Sequence, residues 1–267
     1  MIAQPSPDQP ERKIAISVRD LWKSYDKLTV LKGLNLDIYE GETLVILGRS
    51  GVGKSVLLRQ IIGIETPDKG EIKINGNSIS GMSLQMRFKA TKSMGMLFQG
   101  SALFDSMNVC DNTAFYLRQH HPELKESEIL QRVKEALHMV GLEGTENKMP
   151  SDLSGGMRKR AALARLVIYR PEIVLYDEPT TGLDPITAMQ INDLINQTKK
   201  ELKATSIVVT HDIRSAMEVG DRIAFHDNGK IIHIAPKKAF MQIKDTHLQA
   251  FFENAILSQE FIVNRSK

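Results

Sequence analysis

The stretch Gly48-Arg49-Ser50-Gly51-Val52-Gly53-Lys54-Ser55 constrains this chain more than any other. It sets a glycine, then four free positions, then Gly-Lys-Ser. Before it runs Thr43-Leu44-Val45-Ile46-Leu47, a short apolar run of the kind that forms a buried parallel strand. After it, Val56, Leu57, Ile61 and Ile62 recur at helical spacing. Strand, glycine loop and helix in that order make a cradle for phosphate. Glycines let the backbone curl tightly around an anion. The N–H groups of the loop and of the helix start then point at that anion, helped by the helix dipole. Lys54 adds a full charge for the β- and γ-phosphates, and Ser55 offers a hydroxyl to Mg²⁺. A glycine-rich turn that merely contains Lys-Ser is the competing reading, and the flanking strand and helix count against it.

With 267 residues the chain is one medium domain, or one with appended pieces, and 42% apolar residues supply a core. A net charge of +3 is too small and too scattered to argue for nucleic acid. The lone cysteine, Cys110, forbids an intrachain disulfide and suits a reducing compartment. No apolar run approaches a membrane span, and the N-terminus lacks a signal-peptide core. The expectation is a soluble or peripheral, cytoplasmic protein without internal repeats.

Residues 1–13 are polar and proline-bearing and read as a disordered tail. Ile14, Ile16 and Val18 alternate as a half-buried strand, Leu34, Leu36 and Ile38 give a second, and Gly41 turns the chain into the strand that feeds the loop. The helix after the loop ends before Pro67. Residues 71–74 alternate, Asn75-Gly76 is a hairpin signal, and Ile79 continues the return strand. Met94 to Phe98 is another apolar run. From Gly100 the pattern turns helical: Ile129, Val133, Leu137 and Val140 mark one helix, closed by Gly141. Ile173 to Tyr176 and Ser206 to Thr210 read as buried strands. Met189, Leu194 and Ile195 mark a long helix between them. Ile223–Phe225, Asn228-Gly229 and Ile231–Ile234 form a last hairpin. From Pro236, the residues Phe240, Ile243, Leu248, Phe251, Phe252 and Ile256 carry too much apolar surface for a free linker. Helices docked on this or a partner subunit are expected there.

Chemistry-bearing residues punctuate this frame. Tyr25, between the first two strands, is placed to stack on a base, or is a core tyrosine on an edge. Gln99 ends a strand, where an amide can bind Mg²⁺ or orient a water; an ordinary loop glutamine reads the same. Leu153-Ser154-Gly155-Gly156 precedes a helix built on Ala161, Ala164 and Ile168, so Ser154 can cap a second anion-binding helix start or simply a helix. The basic run Arg158, Lys159, Arg160 reads mostly as a solvated face. Asp177 and Glu178 end an apolar strand, which puts two carboxylates at its C-terminal edge. Asp177 suits the Mg²⁺ shell, and Glu178 suits a general base that polarises water. His211, at the end of a strand, reaches a γ-phosphate or is a loop histidine.

Together these residues closely resemble the nucleotide-binding subunit of ATP-binding-cassette transporters, over roughly residues 14–235. The most specific element is Leu153-Ser154-Gly155-Gly156, which resembles the signature that separates this family from other phosphate-loop ATPases. The resemblance implies an α/β phosphate-loop NTPase fold: a RecA-like parallel sheet core with an antiparallel β subdomain, a helical subdomain inserted at about 100–165, and a helical extension over 236–267. It implies that Tyr25 stacks on adenine and that Gly48, Arg49, Ser50, Gly51, Val52, Gly53, Lys54, Ser55 and Val56 hold the phosphates of ATP. Ser55, Gln99 and Asp177 would hold Mg²⁺, with Gln99 facing the membrane partner. Ser154, Gly155 and Gly156 would meet the ATP of a second copy of the chain. Glu178 would be the base, His211 would contact the γ-phosphate, and Asp184 would couple the two subunits.

A finer resemblance joins Phe98-Gln99-Gly100-Ser101-Ala102-Leu103-Phe104-Asp105-Ser106-Met107-Asn108-Val109 to Leu153-Ser154-Gly155-Gly156-Met157-Arg158-Lys159-Arg160. Both resemble the Mla-type branch, which serves phospholipid transporters associated with mammalian-cell-entry (MCE) domain proteins. Many other branches carry Gln where this chain has Met157, while Gly100-Ser101 stands where the branch more often shows Ser-Gly. The tail also resembles that branch's, with Phe251 and Phe252 near a helix that would clasp a partner subunit. The expectation is an active homodimeric ATPase, peripheral on the cytoplasmic face of the inner membrane. It would drive phospholipid movement through a separate integral-membrane permease with an MCE-domain partner. A polar-solute importer such as one for amino acids is the alternative cargo. A nucleic-acid cassette ATPase lacks support, for there is no basic stripe, second cassette or coiled-coil insertion.

Overall fold

A computed structural model describes residues 12–253. It comprises two compact units, one formed by the chain up to Thr91 and again from Ile207, the other by Lys92–Ser206.

In the first unit β1 (Ile14–Tyr25) and β2 (Leu28–Tyr39) form a long antiparallel hairpin. Ile16 pairs with Ile38, Val18 with Leu36 and Leu21 with Leu34, and all six side chains are buried. The register shifts between Val18 and Leu21, where Asp20 takes a positive φ of 43°. The extra residue restores the inward phase, so Leu21 lands in the core. Tyr25 is thus the last residue of β1, paired with Leu28, rather than a residue between strands. Next come β3 (Thr43–Leu47), α1 (Lys54–Ile61), β4 (Lys69–Ile74), β5 (Asn77–Ser78) and α2 (Leu84–Ala90). One sheet runs in the order β2-β1-β4-β5. β5 stops short of Ile79, which is nevertheless buried and bonds through its N–H to the Ile72 carbonyl at 2.9 Å. α2 has no counterpart in the sequence reading. Ser83 caps it, and none of its residues is buried.

After Ile207 the first unit holds most of β8 (Thr205–Thr210), then α7 (Ile213–Val219), β9 (Arg222–Asp227), β10 (Lys230–Pro236) and α8 (Lys237–Phe240). β3 lies between β8 and β9, parallel to β9 from Leu44↔Arg222 to Leu47↔Phe225. All five β3 side chains are buried, as a strand covered on both faces requires. A further helical stretch covers 246–253. Phe240, Leu248 and Phe251 are buried, and the Phe251 ring centroid lies 5.4 Å from that of Phe225 on β9. The C-terminal segment therefore packs on its own chain through Phe240, Leu248 and Phe251. Ile256 lies outside the described residues, as do residues 1–11 of the expected tail. Arg12 and Lys13 are held: Arg12 pairs with Glu42 at 3.1 Å, and the Lys13 carbonyl accepts from Glu40 N–H at 2.9 Å.

The second unit holds β6 (Met94–Leu97), α3 (Val109–His120), α4 (Glu126–Met139), a 3₁₀ turn at Pro150–Asp152, α5 (Gly155–Val167), β7 (Ile173–Asp177) and α6 (Pro185–Leu202). β6 and β7 pair in parallel from Met94↔Ile173 to Leu97↔Tyr176. α3, α4 and α5 pack on one another. Buried Asn112 staples the loop before α3, accepting from Phe104 N–H at 2.8 Å and donating to the carbonyls of Phe104 (3.0 Å) and Met107 (2.8 Å).

Candidate functional site

The first unit carries the phosphate cradle. β3 delivers the chain to Gly48, whose N–H bonds the Thr210 carbonyl at 3.2 Å, so the loop starts beside the end of β8, whose last residue precedes His211. A side chain on Gly48 would collide with the carbonyl of His226, so no other residue fits this start. Gly53 caps α1 with φ 104°, a conformation that favours glycine, and a Cβ there would stand 2.5 Å from Val30. Arg49, Ser50 and Gly51 are exposed at the rim, Val52 and Ser55 are half-buried, and Lys54 and Val56 are buried. The Lys54 ammonium folds back over its own loop, donating to the carbonyls of Gly48 (2.8 Å) and Arg49 (2.9 Å). His211 is exposed. Beneath the loop, His226 is fully buried, and neither ring nitrogen has a hydrogen-bond partner among the described residues. Burial, with the Lys54 charge added, pulls its pKa down to about 4.

Tyr25 is 40% exposed at the end of β1. Its hydroxyl donates to Glu65, and Glu65 in turn accepts from Arg59 Nε of α1 at 2.6 Å. The Lys23 ammonium stands 5.4 Å from the ring centroid. Burial and the bond to Glu65 raise the phenol's pKa, so it stays a donor.

The second unit gathers the remaining candidates. Asp177 ends β7 and Glu178 follows, only 6% and 7% exposed. Glu178 holds a φ of 46°, uncommon for a residue with a side chain, and accepts from Thr181 Oγ1 at 3.0 Å. Gln99, just past β6, is exposed, but its carbonyl takes a hydrogen bond from Lys159 of α5. Lys159 is buried rather than on a solvated face, and the charges of Asp177 and Glu178 act on its ammonium. Burial pulls its pKa down, and the two carboxylates partly oppose that. Arg165, two turns on, donates to the carbonyls of Ala102 (2.7 Å) and Ser101 (3.3 Å), which both take positive φ. Two cations of α5 thus hold the stretch 99–102.

Ser154 caps α5, its hydroxyl accepting from Met157 N–H at 3.3 Å, as its position in the sequence suggests. Gly155 is exposed and Gly156 buried; a Cβ on Gly156 would stand 2.5 Å from Thr187 Cγ2. Thr187 donates through its hydroxyl to Asp184, which caps α6 by accepting from the N–H groups of Ile186 and Thr187 at 3.0 Å each. Those bonds hold the Asp184 carboxyl below its usual pKa. The start of α5 is therefore linked to Asp184 through Thr187.

Lys159, Arg165, Glu65, Arg59 and Thr187 did not stand out in the sequence. Lys159 had a signal: it lies three residues from Gly156 and four from Leu163, both buried, and so on the inward stripe of α5. Glu65 had none for its bond to Tyr25, which spans 40 residues.

Among the described residues no three His, Cys, Asp or Glu side chains come together as a metal cage. Mg²⁺ taken up with substrate phosphates needs only a carboxylate or hydroxyl from the protein. Ser55 at the start of α1 and Asp177 at the end of β7 are donors of that kind.

A strand, glycine loop and helix holding a lysine over their own carbonyls, on an α/β fold, define a phosphate-loop NTPase. The chain belongs to the ABC transporter family, whose model matches residues 31–181. It is 40% identical over 89% of its length to the probable ribonucleotide transport ATP-binding protein mkl of Mycobacterium leprae, covering 68% of that protein. It is 38% identical, again over 89% of its length, to the intermembrane phospholipid transport system ATP-binding protein MlaF of Haemophilus influenzae, covering 90% of it. The dimeric post-hydrolysis structure of the ATP-binding cassette MJ0796 bound to ADP and Pi superposes with a TM-score of 0.78 at 31% identity, over 83% of this chain and 98% of that one. The chain is an ATP-binding, ATP-hydrolysing transporter subunit. No helix among the described residues is long and apolar enough to cross a membrane.

Proposed function

We propose that this chain is the ATPase of a phospholipid transporter, working as a homodimer on the cytoplasmic face of a membrane with a separate permease and an MCE-domain protein. The observation that carries the lipid reading is the 90% coverage of MlaF, together with Met157 after the signature glycines and the Phe98–Val109 stretch. The mkl protein, of similar identity, is covered over only 68% of its length, and its name points to a polar cargo.

In this reading the loop from Gly48 to Val56 binds the phosphates of ATP, and Lys54 exchanges its bonds to Gly48 and Arg49 for phosphate oxygens. Tyr25 stacks on adenine. Ser55, Gln99 and Asp177 would hold Mg²⁺, which would supply neutralising charge to the phosphates. Glu178 accepts a proton from water as its oxygen bonds the γ-phosphorus and the bond to the ADP oxygen breaks. His211 contacts the γ-phosphate. Ser154, Gly155 and Gly156 meet the nucleotide of the second subunit, with Asp184 coupling the two. Buried Lys159 and the strained backbone of Glu178 support a preorganised acid pair.

Affinity purification from detergent-solubilised membranes, with mass spectrometry of proteins and lipids, tests the cargo. A permease with an MCE-domain protein and phospholipid is expected. A permease with a soluble solute receptor and no enriched lipid would move the assignment to a polar-solute importer.

A further inference from the structure

The exposed ring of Tyr25 has two partners, one of them held in turn by a third residue. Its hydroxyl is fixed by Glu65, Glu65 is fixed by Arg59, and the Lys23 ammonium stands near one side of the ring. Lys23 is pinned in turn by the Thr66 carbonyl (2.9 Å) and Asp68 (3.1 Å), and Asp68 also accepts from Ser24 N–H at 2.6 Å. One short segment, 65–68, thus holds the hydroxyl of the ring and the cation beside it. That segment is tied to α1, because Ile64 and Glu65 N–H both bond the Arg59 carbonyl, at 3.0 and 3.1 Å. α1 begins at Lys54. Arg59 follows five residues later, about 7.5 Å along the axis at 1.5 Å per residue.

We infer that Glu65 is a positioning residue for base recognition, fixing the Tyr25 ring at a set distance from the phosphate loop through Arg59. This rests on the reading that Tyr25 stacks on adenine. A ring free to swing would have to be ordered on each binding event, which costs affinity; a ring held by its hydroxyl is ordered beforehand. The phosphates gain nothing from this arrangement, because they meet the loop and not the ring.

Two probes separate these contributions: ATP and inorganic tripolyphosphate, each with Mg²⁺, titrated calorimetrically into the full chain. Tyr25→Ala should weaken ATP binding about fivefold or more, since stacking on an aromatic ring is worth ~1–3 kcal/mol, and leave tripolyphosphate unchanged. Tyr25→Phe keeps the ring and removes only the anchor. It and Glu65→Ala should each weaken ATP binding about three- to tenfold, in the range of one lost hydrogen bond, with tripolyphosphate again unchanged. The double variant should bind ATP no more weakly than either single variant, as two halves of one contact do. Additive losses, or equal losses for both probes, would overturn the inference, because Glu65 would then act on the loop or the fold. Unchanged ATP affinity in Tyr25→Ala would instead overturn the stacking role of Tyr25.

Discussion

The ammonium of Lys54 lies 2.8 Å from the carbonyl of Gly48, the first residue of the loop that Lys54 closes. The loop is thereby held in its curled shape by the side chain that also supplies its charge. Lys54→Ala should lower ATP affinity by at least about tenfold, from the loss of charge-assisted bonds worth ~1.5–3 kcal/mol each. Calorimetry with Mg²⁺-ATP checks it, and unchanged affinity would remove Lys54 from the site.

Gly156 is constrained by space. Gly156→Ala presses on Thr187 and, through its hydroxyl, on Asp184. Turnover should fall about tenfold or more, the scale expected when positioned groups shift by a fraction of an ångström. Adding Thr187→Ser removes Cγ2, keeps the hydroxyl, and should recover most of the loss. Steady-state ATP turnover of the two variants decides it; a double variant as slow as the single one would place the constraint elsewhere.

His226 makes stability depend on pH. Its folded pKa of about 4 lies below the ordinary 6.5, so the unfolded chain binds the proton first as pH falls. Stability is full above about pH 6.5 and declines toward pH 4, by up to about 3 kcal/mol at ~1.4 kcal/mol per pKa unit. His226→Leu should lose less between pH 7 and pH 5 than the native chain, by about 2 kcal/mol in urea denaturation. It should be at least as stable at pH 7, because a buried unpartnered ring gives way to an apolar one. Equal losses in both proteins would exclude His226 as the cause.

Where a pattern was local and periodic, the chain could be read directly. β3, the glycine loop and α1 follow one another within twenty residues, and the residues of β3 fall where expected. The cap at Ser154 was visible as a polar residue before a helical run, whereas the cap Asp184 gives α6 was not read from the sequence. α2 was not visible, because Leu84, Met86 and Phe88 are all exposed and leave no buried face to give a period. Lys159 was hidden in a basic run, and only the phase of α5 separates it from exposed Arg158. The Tyr25–Glu65 contact joins distant stretches that no local pattern links.

Glu178 is proposed to take the proton from the attacking water. Glu178→Gln keeps the shape and loses the base. Single-turnover hydrolysis of Mg²⁺-ATP by this variant should run about 10²-fold or more below the native rate, with ATP still bound and the chain accumulating as a nucleotide-trapped dimer. Native turnover in Glu178→Gln would remove Glu178 as the base.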